Sequence, residues 1–156
     1  MFFEVLFYTG VRIGEALFLN PECVNGRLVS VSRQIRRDGK VGLRKNKKPY
    51  IGIVLPNGIG ALNEWVNCDD HGLIPRNDIA KIMKAACKKA FPNQPRKWLT
   101  AHDLRHCFAI LLLTKHQMNI STVARLIGDS VIITEKHYAS FIQNDDFTNS
   151  VLATTT

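Results

Sequence analysis

The stretch TAHDLRHCFAILLL, residues 100–113, places two kinds of chemistry on one segment. Cys107 to Leu113 are all apolar and call for burial, whereas the first turns carry His102, Asp103, Arg105 and His106. Thr100 followed three residues later by Asp103 is a capping-box pattern, in which each side chain satisfies the other's backbone N–H and fixes a helix start. His102 then lies in the first turn, and Arg105 projects from the same face. A helix with a core body and an imidazole beside a guanidinium at its mouth predicts a buried element that delivers polar groups to a cleft. In isolation such a pair reads as ordinary surface residues at a helix start, so its meaning depends on the rest of the chain.

The rest of the chain narrows the choice. With 156 residues and 46% hydrophobic content, the sequence fits one domain with a real core and is incompatible with a disordered chain. Twenty-one Lys and Arg against 13 Asp and Glu give a formal charge of +8, which favours a polyanionic partner, nucleic acid first. Cys23, Cys68, Cys87 and Cys107 show neither CxxC spacing nor a dense framework, so they read as reduced, mostly buried thiols. Cys68 with His71 is the nearest approach to a metal half-site; with no second pair, no metal is expected. The apolar start MFFEVLF lacks a basic leader, contains Glu4 and stops at a turn, so it reads as a core helix rather than a signal or membrane span.

Patterning predicts helices at 2–8, 11–19, 59–66, 77–91, 101–117, 121–128 and 131–142, with Asn77, Thr100, Ser121 and Ser130 as N-caps and Gly128 as a stop. RLVSVS at 27–32 and YIGIVLP at 50–56 alternate like strands, and GKVGLRKNKKP between them suggests a hairpin. The expected class is α+β, mostly helical, with a small antiparallel sheet packed on a helical core. Charge concentrates on the hairpin: Arg33, Arg36, Arg37, Lys40, Arg44, Lys45, Lys47 and Lys48 meet one acid, Asp38. So dense a same-sign block repels itself, which favours an anionic partner over a merely solvated turn. Lys81, Lys84 and Lys88 share one helix face, either as solvated surface or as further phosphate contacts.

Two further stretches give the helix mouth its context: YTGVRIGEAL at 8–17 and ARLIGDSVIITEKHYASF at 124–141. Taken in order with HDLRH, they resemble the catalytic domain of the tyrosine recombinase, or phage integrase, family. The family's pattern is an arginine in TGxRxxE, a lysine on a β-hairpin, HxLRH, then LGH and a tyrosine nine residues beyond that triplet. The matches are Arg12 with Glu15, a lysine within RKNKKP, His102 with Arg105, and Tyr138, nine residues after Asp129. Each motif alone is weak, but their joint order and spacing over residues 9–141 make chance agreement remote.

The resemblance implies that DNA strands are cleaved and rejoined through a 3′-phosphotyrosyl intermediate, without metal, ATP or other cofactor. Phosphodiester transfer onto a hydroxyl needs a nucleophile, cations on the non-bridging oxygens and an acid for the departing 5′-oxygen. Tyr138 would be the nucleophile, and Arg12 and Arg105 the bidentate phosphate ligands. His102 would bond a phosphate oxygen or assist proton transfer. The acid would be a hairpin lysine: the family pattern maps to Lys45, whereas counting back from Pro56 points to Lys47 or Lys48. Lys45 is preferred here, with Arg44, Lys47 and Lys48 as DNA contacts. Glu15 would orient an arginine or lie as a helix-surface carboxylate, and His106 would support the site from behind.

Two features depart from the family. Asp129 stands where a His or Trp usually donates to the scissile phosphate, and an ionised carboxylate can only accept. Two like charges about 4 Å apart repel by roughly 4 kcal/mol at a surface-like dielectric, so Asp129 should turn away, protonate or impair the site. Arg12 also lies almost at the chain start, which predicts that residues 1–156 are the catalytic domain of a longer protein whose N-terminal DNA-clamping domain is absent. The expected partners are double-stranded DNA and further copies of the protein in a tetramer, with no membrane and a cytoplasmic, nucleoid-associated location. Competing readings are a type IB topoisomerase-like activity, which the compact HxLRH-to-Tyr spacing disfavours, and a catalytically impaired DNA-binding relative, which only Asp129 favours. A metal-dependent nuclease would need clustered carboxylates, which the sequence lacks.

Overall fold

The computed structural model describes residues 1–44, 48–68, 75–95 and 98–142, with the backbone alone for 76, 77 and 142. The elements in chain order are α1 (Phe2–Thr9), α2 (Ile13–Ala16), β1 (Val24–Asn25), β2 (Leu28–Val31), β3 (Arg33–Ile35), β4 (Val41–Leu43), β5 (Tyr50–Ile53), α3 (Ile59–Val66), α4 (Arg76–Ala90), α5 (Ala101–Thr114), α6 (Ile120–Ile127) and α7 (Val131–Ile142). The class is α+β and mostly helical, as the patterning predicts.

The two strands expected from alternation pair with each other. β2 and β5 are antiparallel, with Val29 opposite Gly52 and Val31 opposite Tyr50, so Val29 and Val31 both face the core. Two features escaped the sequence reading. The short β1 adds to β2's other edge, and β3 and β4 form their own two-stranded ladder from Arg33 opposite Leu43 to Ile35 opposite Val41. The second predicted helix is also shorter than 11–19. Arg12 is extended (φ −74°, ψ 154°) and starts α2, while the N–H groups of Phe18 and Leu19 close onto carbonyls only three residues back, tightening the chain out of the helix.

Helix α5 is the spine. Leu104, Phe108 and Leu112 recur every fourth residue and are buried with Arg105, Ala109 and Leu113, which makes one apolar stripe with a single guanidinium in it. Its start is the expected capping box: Asp103 N–H donates to Thr100 Oγ1 at 3.3 Å, and Thr100 N–H donates to the Asp103 carboxylate at 2.6 Å. Helix α1 crosses the spine closely at Gly10, whose φ of 65° suits glycine and where an added Cβ would lie 2.3 Å from the Phe108 ring. On the other side, α6 and α7 bury Val123, Ile127 and Tyr138 against Phe108 and Leu112.

The turn between α6 and α7 positions the site. Asn119, not Ser121, caps α6, its Oδ1 accepting from Thr122 N–H at 2.8 Å. Gly128 ends the helix in the left-handed region, and the Asp129 N–H reaches back to the Ala124 carbonyl at 2.9 Å. That closure fixes residue 129 one step past the helix, and Ser130 begins α7 by accepting from Ile133 N–H at 3.3 Å. Helix α4 starts at Arg76, with Pro75 as its N-cap, so Asn77 lies inside its first turn.

Candidate active site

Three segments distant in sequence meet at the mouth of α5. The Gly10–Arg12 turn, the α6–α7 turn and the first turns of α5 surround a pocket of about 180 Å³ lined by Arg12, His102, Arg105, His106, Asp129 and Tyr138, among others. Arg105 is 3% exposed along its side chain and is held by two backbone carbonyls, Gly10 O at 2.8 Å and Ile127 O at 2.7 Å. Those carbonyls belong to two helix ends, where unpaired acceptors are in supply. The guanidinium thereby ties α1 to α6 and keeps one edge toward the pocket.

Asp129 occupies the centre of the site. One carboxylate oxygen accepts from Arg12 at 3.0 Å and the other from Arg105 at 2.9 Å. The sequence reading expected this carboxylate to turn away, to protonate or to impair the site; in this structure, without DNA, it faces the arginines. Burial pushes its pKa up, but Arg12 and Arg105 outweigh that and hold it below the usual aspartate range, so it is ionised. Burial likewise opposes the charge of Arg12, yet Glu15 and Asp129 leave its pKa raised.

Behind the pocket lies a second ionic layer. Glu15 is 1% exposed, which removes the reading of it as a helix-surface carboxylate. It accepts from the Arg12 backbone N–H at 2.9 Å, from Arg12 Nη1 at 3.3 Å, from Arg44 Nε at 2.7 Å and from Tyr50 Oη at 3.1 Å. Burial pushes its pKa up, but the bonds from Arg12 and Arg44 bring it below the ordinary glutamate value. Tyr50 is pushed far up, first by burial and then by Glu15, so it stays a neutral donor.

Arg44 corrects the sequence reading. Expected on the DNA-facing hairpin, its side chain is 2% exposed and points inward. It bonds Glu15, the Gly128 carbonyl at 3.0 Å and the Lys48 carbonyl, with its guanidinium 4.1 Å above the Tyr50 ring. The physical reason is an inverted strand face: Val41 and Leu43 are half exposed, so the opposite face carries the arginine inward. Gly128 permits this approach, since a Cβ there would lie 2.6 Å from Arg44 and 2.4 Å from Tyr50.

Opposite the arginines sits Tyr138, a buried residue whose hydroxyl lies 2.6 Å from His106 Nδ1. His106 therefore touches the phenol directly. The His102 ring stands edge-on to His106 at 4.6 Å between centroids, and the His137 ring lies 6.0 Å from His106. Burial lowers the His102 pKa, helped by His106, Arg105 and Arg12 and opposed by Asp103. Burial also lowers that of His106, with Asp103 opposing and His137 and Arg105 assisting. Tyr138 is raised, first by burial, with Arg105 opposing and Asp129 and Cys107 adding. A neutral imidazole, His106, thus meets a protonated phenol, with the His102 ring edge-on to that imidazole.

Lys45 and Lys47 lie outside the described residues. Lys48 is exposed, beside a cavity of about 560 Å³ that Arg44, Arg125 and Asp129 also line. On α4, Lys81 is solvated and paired with Asp78 at 2.9 Å.

The family model described as Phage integrase family matches residues 1–143. No curated protein matches the chain. Among solved structures, the Tn1549 transposon integrase in complex with transposon right end DNA superposes with a TM-score of 0.70 at 18% identity, covering 87% of this chain and 52% of that one. XerA recombinase gives 0.65 at 24% identity, covering 97% and 55%. XerH site-specific recombinase bound to difH substrate gives 0.64 at 19% identity, covering 99% and 45%. At these identities the likeness establishes the fold, and the chain spans about half the length of the structures it matches. No helix among the described residues is long and apolar enough to cross a membrane.

Proposed function

Because the chain belongs to the phage integrase family, we propose that it is the catalytic domain of a site-specific DNA recombinase that breaks and rejoins strands through Tyr138. The observation that carries this reading is convergence: the Tyr138 hydroxyl, two guanidinium groups and His102 border one pocket of about 180 Å³. In the reaction, Tyr138 Oη bonds to phosphorus as the bond to the 5′-oxygen breaks. Arg12 and Arg105 hold the non-bridging oxygens, where charge builds in the transition state, and His102 bonds a phosphate oxygen. A hairpin lysine, Lys45 by preference, protonates the leaving oxygen. The phosphotyrosyl ester conserves the energy of the broken bond, so rejoining requires no ATP.

Asp129 sits between the two arginines as an internal anion, so a phosphodiester must displace it. Rotation of one side chain on a fixed turn achieves this, and the departing carboxylate exchanges its arginines for water. Glu15 and Arg44 stay in place and keep Arg12 oriented. Lys47 and Lys48 supply backbone contacts on the hairpin. Beside this catalytic domain we place a second DNA-clamping domain in the full-length protein, and a homotetramer assembled on DNA in the cytoplasmic nucleoid.

The test uses a pool of duplexes with randomised arms, each carrying one bridging 5′-phosphorothiolate, whose departing thiol cannot religate efficiently. The parent chain should form a covalent adduct that survives a denaturing gel, and Tyr138→Phe should form none while binding DNA nearly as well. An adduct persisting in the Phe variant would assign the nucleophile elsewhere.

A further inference from the structure

We infer that His106 is a catalytic residue: it takes the phenolic proton from Tyr138 as the strand is cleaved and returns it as the strand is rejoined. This rests on the recombinase reading above and gives a step within it to a residue that the HxLRH pattern left in a supporting role.

The geometry favours His106 over His102. His106 Nδ1 is 2.6 Å from Tyr138 Oη, within the range required of a general base, and among the described residues no hydrogen bond joins His102 to that oxygen. His102 is exposed and feels both Arg12 and Arg105, which places it on the phosphate side of the pocket. The two rings meet edge to face, so each fixes the other's orientation. Both groups are in the protonation states that the transfer needs. His106 is depressed by burial and neutral at neutral pH, and Tyr138 is raised by burial and keeps its proton. The proposed step requires the tautomer with the ring proton on Nε2, so that the phenol donates and Nδ1 accepts. The groups facing the pair are Asp103, His102 and Arg105 on α5, His137 on α7, and Asp129 and Cys107 beside the phenol. Arg105 favours loss of the phenolic proton and Asp103 favours its arrival on the imidazole.

The step balances. As Tyr138 Oη forms its bond to phosphorus, its proton passes to Nδ1 and the electron pair of the breaking P–O5′ bond leaves with the 5′-oxygen, which the lysine protonates. In rejoining, the 5′-hydroxyl attacks phosphorus and returns its proton to the neutral lysine, the tyrosyl–phosphorus bond breaks and the phenolate recovers its proton from Nδ1. A raised phenol needs such a partner more than an exposed one, since burial penalises free phenolate.

The phosphorothiolate pool isolates this proton, because a thiolate leaving group needs none. His106→Asn places an amide where Nδ1 was, keeping a hydrogen-bonding group against Tyr138 without a titratable base. The parent's adduct-forming rate should fall as pH drops through the depressed His106 pKa. In His106→Asn that limb should vanish and the rate should fall by about 10²–10⁴-fold, whereas His102→Asn should retain the limb. An Asn variant that stays within about threefold of the parent with the same pH profile overturns the inference and leaves the recombinase reading standing. No adduct from the parent itself overturns the recombinase reading and this step with it. Independently of DNA, 15N spectra of the parent should show His106 as the Nε2–H tautomer with Nδ1 accepting. An Nδ1–H tautomer donating to Tyr138 would overturn the assignment even if the Asn variant failed to fold.

Discussion

Replacing Asp129 with Asn separates two roles that the bridge combines. The carboxylate receives one charge-assisted bond from Arg12 at 3.0 Å and one from Arg105 at 2.9 Å. Bonds of this kind contribute about 1.5–3 kcal/mol each, so an incoming anion competes against roughly 3–6 kcal/mol of existing contact. Asp129 is 17% exposed and regains water when displaced, which returns about half of that. Removing its charge should therefore tighten anion binding by about 1.4–2.8 kcal/mol, or 10–100-fold. Stability should move the other way. Arg105 keeps the Gly10 and Ile127 carbonyls, so the loss should fall below the 3–5 kcal/mol typical of an orphaned buried charge, near 1–3 kcal/mol. Thermal melts in rising inorganic phosphate read both effects. At a phosphate concentration about 100 times the variant's Kd, the variant should gain about 2.7 kcal/mol, and the parent, binding 10–100-fold more weakly, only about 0.4–1.4 kcal/mol. Equal phosphate dependence in the two proteins would refute the competition and leave Asp129 a purely structural link.

Arg44→Ala and Lys48→Ala should have opposite signatures. The first breaks the buried Glu15–Arg44 pair, leaving Glu15 with Arg12 and Tyr50, and should cost about 3–5 kcal/mol in urea denaturation with little change in the salt dependence of DNA binding. The second should leave stability alone and flatten that dependence by about one unit of slope. Stability should also fall in two stages on acidification, measured by urea melts across pH. His102 and His106 have folded pKa values below their ordinary value of 6.5, so their contribution is full above that pH and is lost as pH falls through the folded values. Glu15 and Asp129 are depressed from 4.5 and 3.8, so theirs is lost in a second, more acidic stage, which Glu15→Gln should shrink.

The elements that were legible carry their pattern locally. The Thr100–Asp103 capping box, the stop at Gly128 and the alternation of Val29 and Val31 are set by near neighbours, and the structure has each where the sequence placed it. Illegible features depend on partners far along the chain. The β3–β4 ladder is three residues a side, and Arg33-Gln34-Ile35 offers one apolar position, so a periodicity argument has too little to detect. Arg44 reads as one more charge in a basic run, and only contact with Glu15, 29 residues earlier, identifies it as interior. Likewise the spacing that puts Asp129 nine residues before Tyr138 says where it sits and nothing of what it binds. The available signal was TGVRIGEAL itself: a glutamate three residues after an extended arginine is placed to take that arginine's backbone N–H, which argues against a free surface carboxylate.

Charge balance ties these observations together. Arg12, Arg44 and Arg105 share Glu15 and Asp129, so three guanidinium groups meet two carboxylates and one positive charge is left over. One phosphodiester, with one negative charge, completes the neutralisation if Asp129 remains nearby, and replaces it outright at the arginines if Asp129 swings to water. A neutral donor such as His at position 129 would leave Arg105, 3% exposed, without a counterion whenever DNA is absent. The free protein would then be less stable and bind anions indiscriminately. An acid at this position gives up a hydrogen bond to the transition state and some affinity, and in exchange the empty site is internally neutralised. On the recombinase proposal, its two arginines would open only to a ligand whose remaining contacts are strong enough to displace a tethered carboxylate.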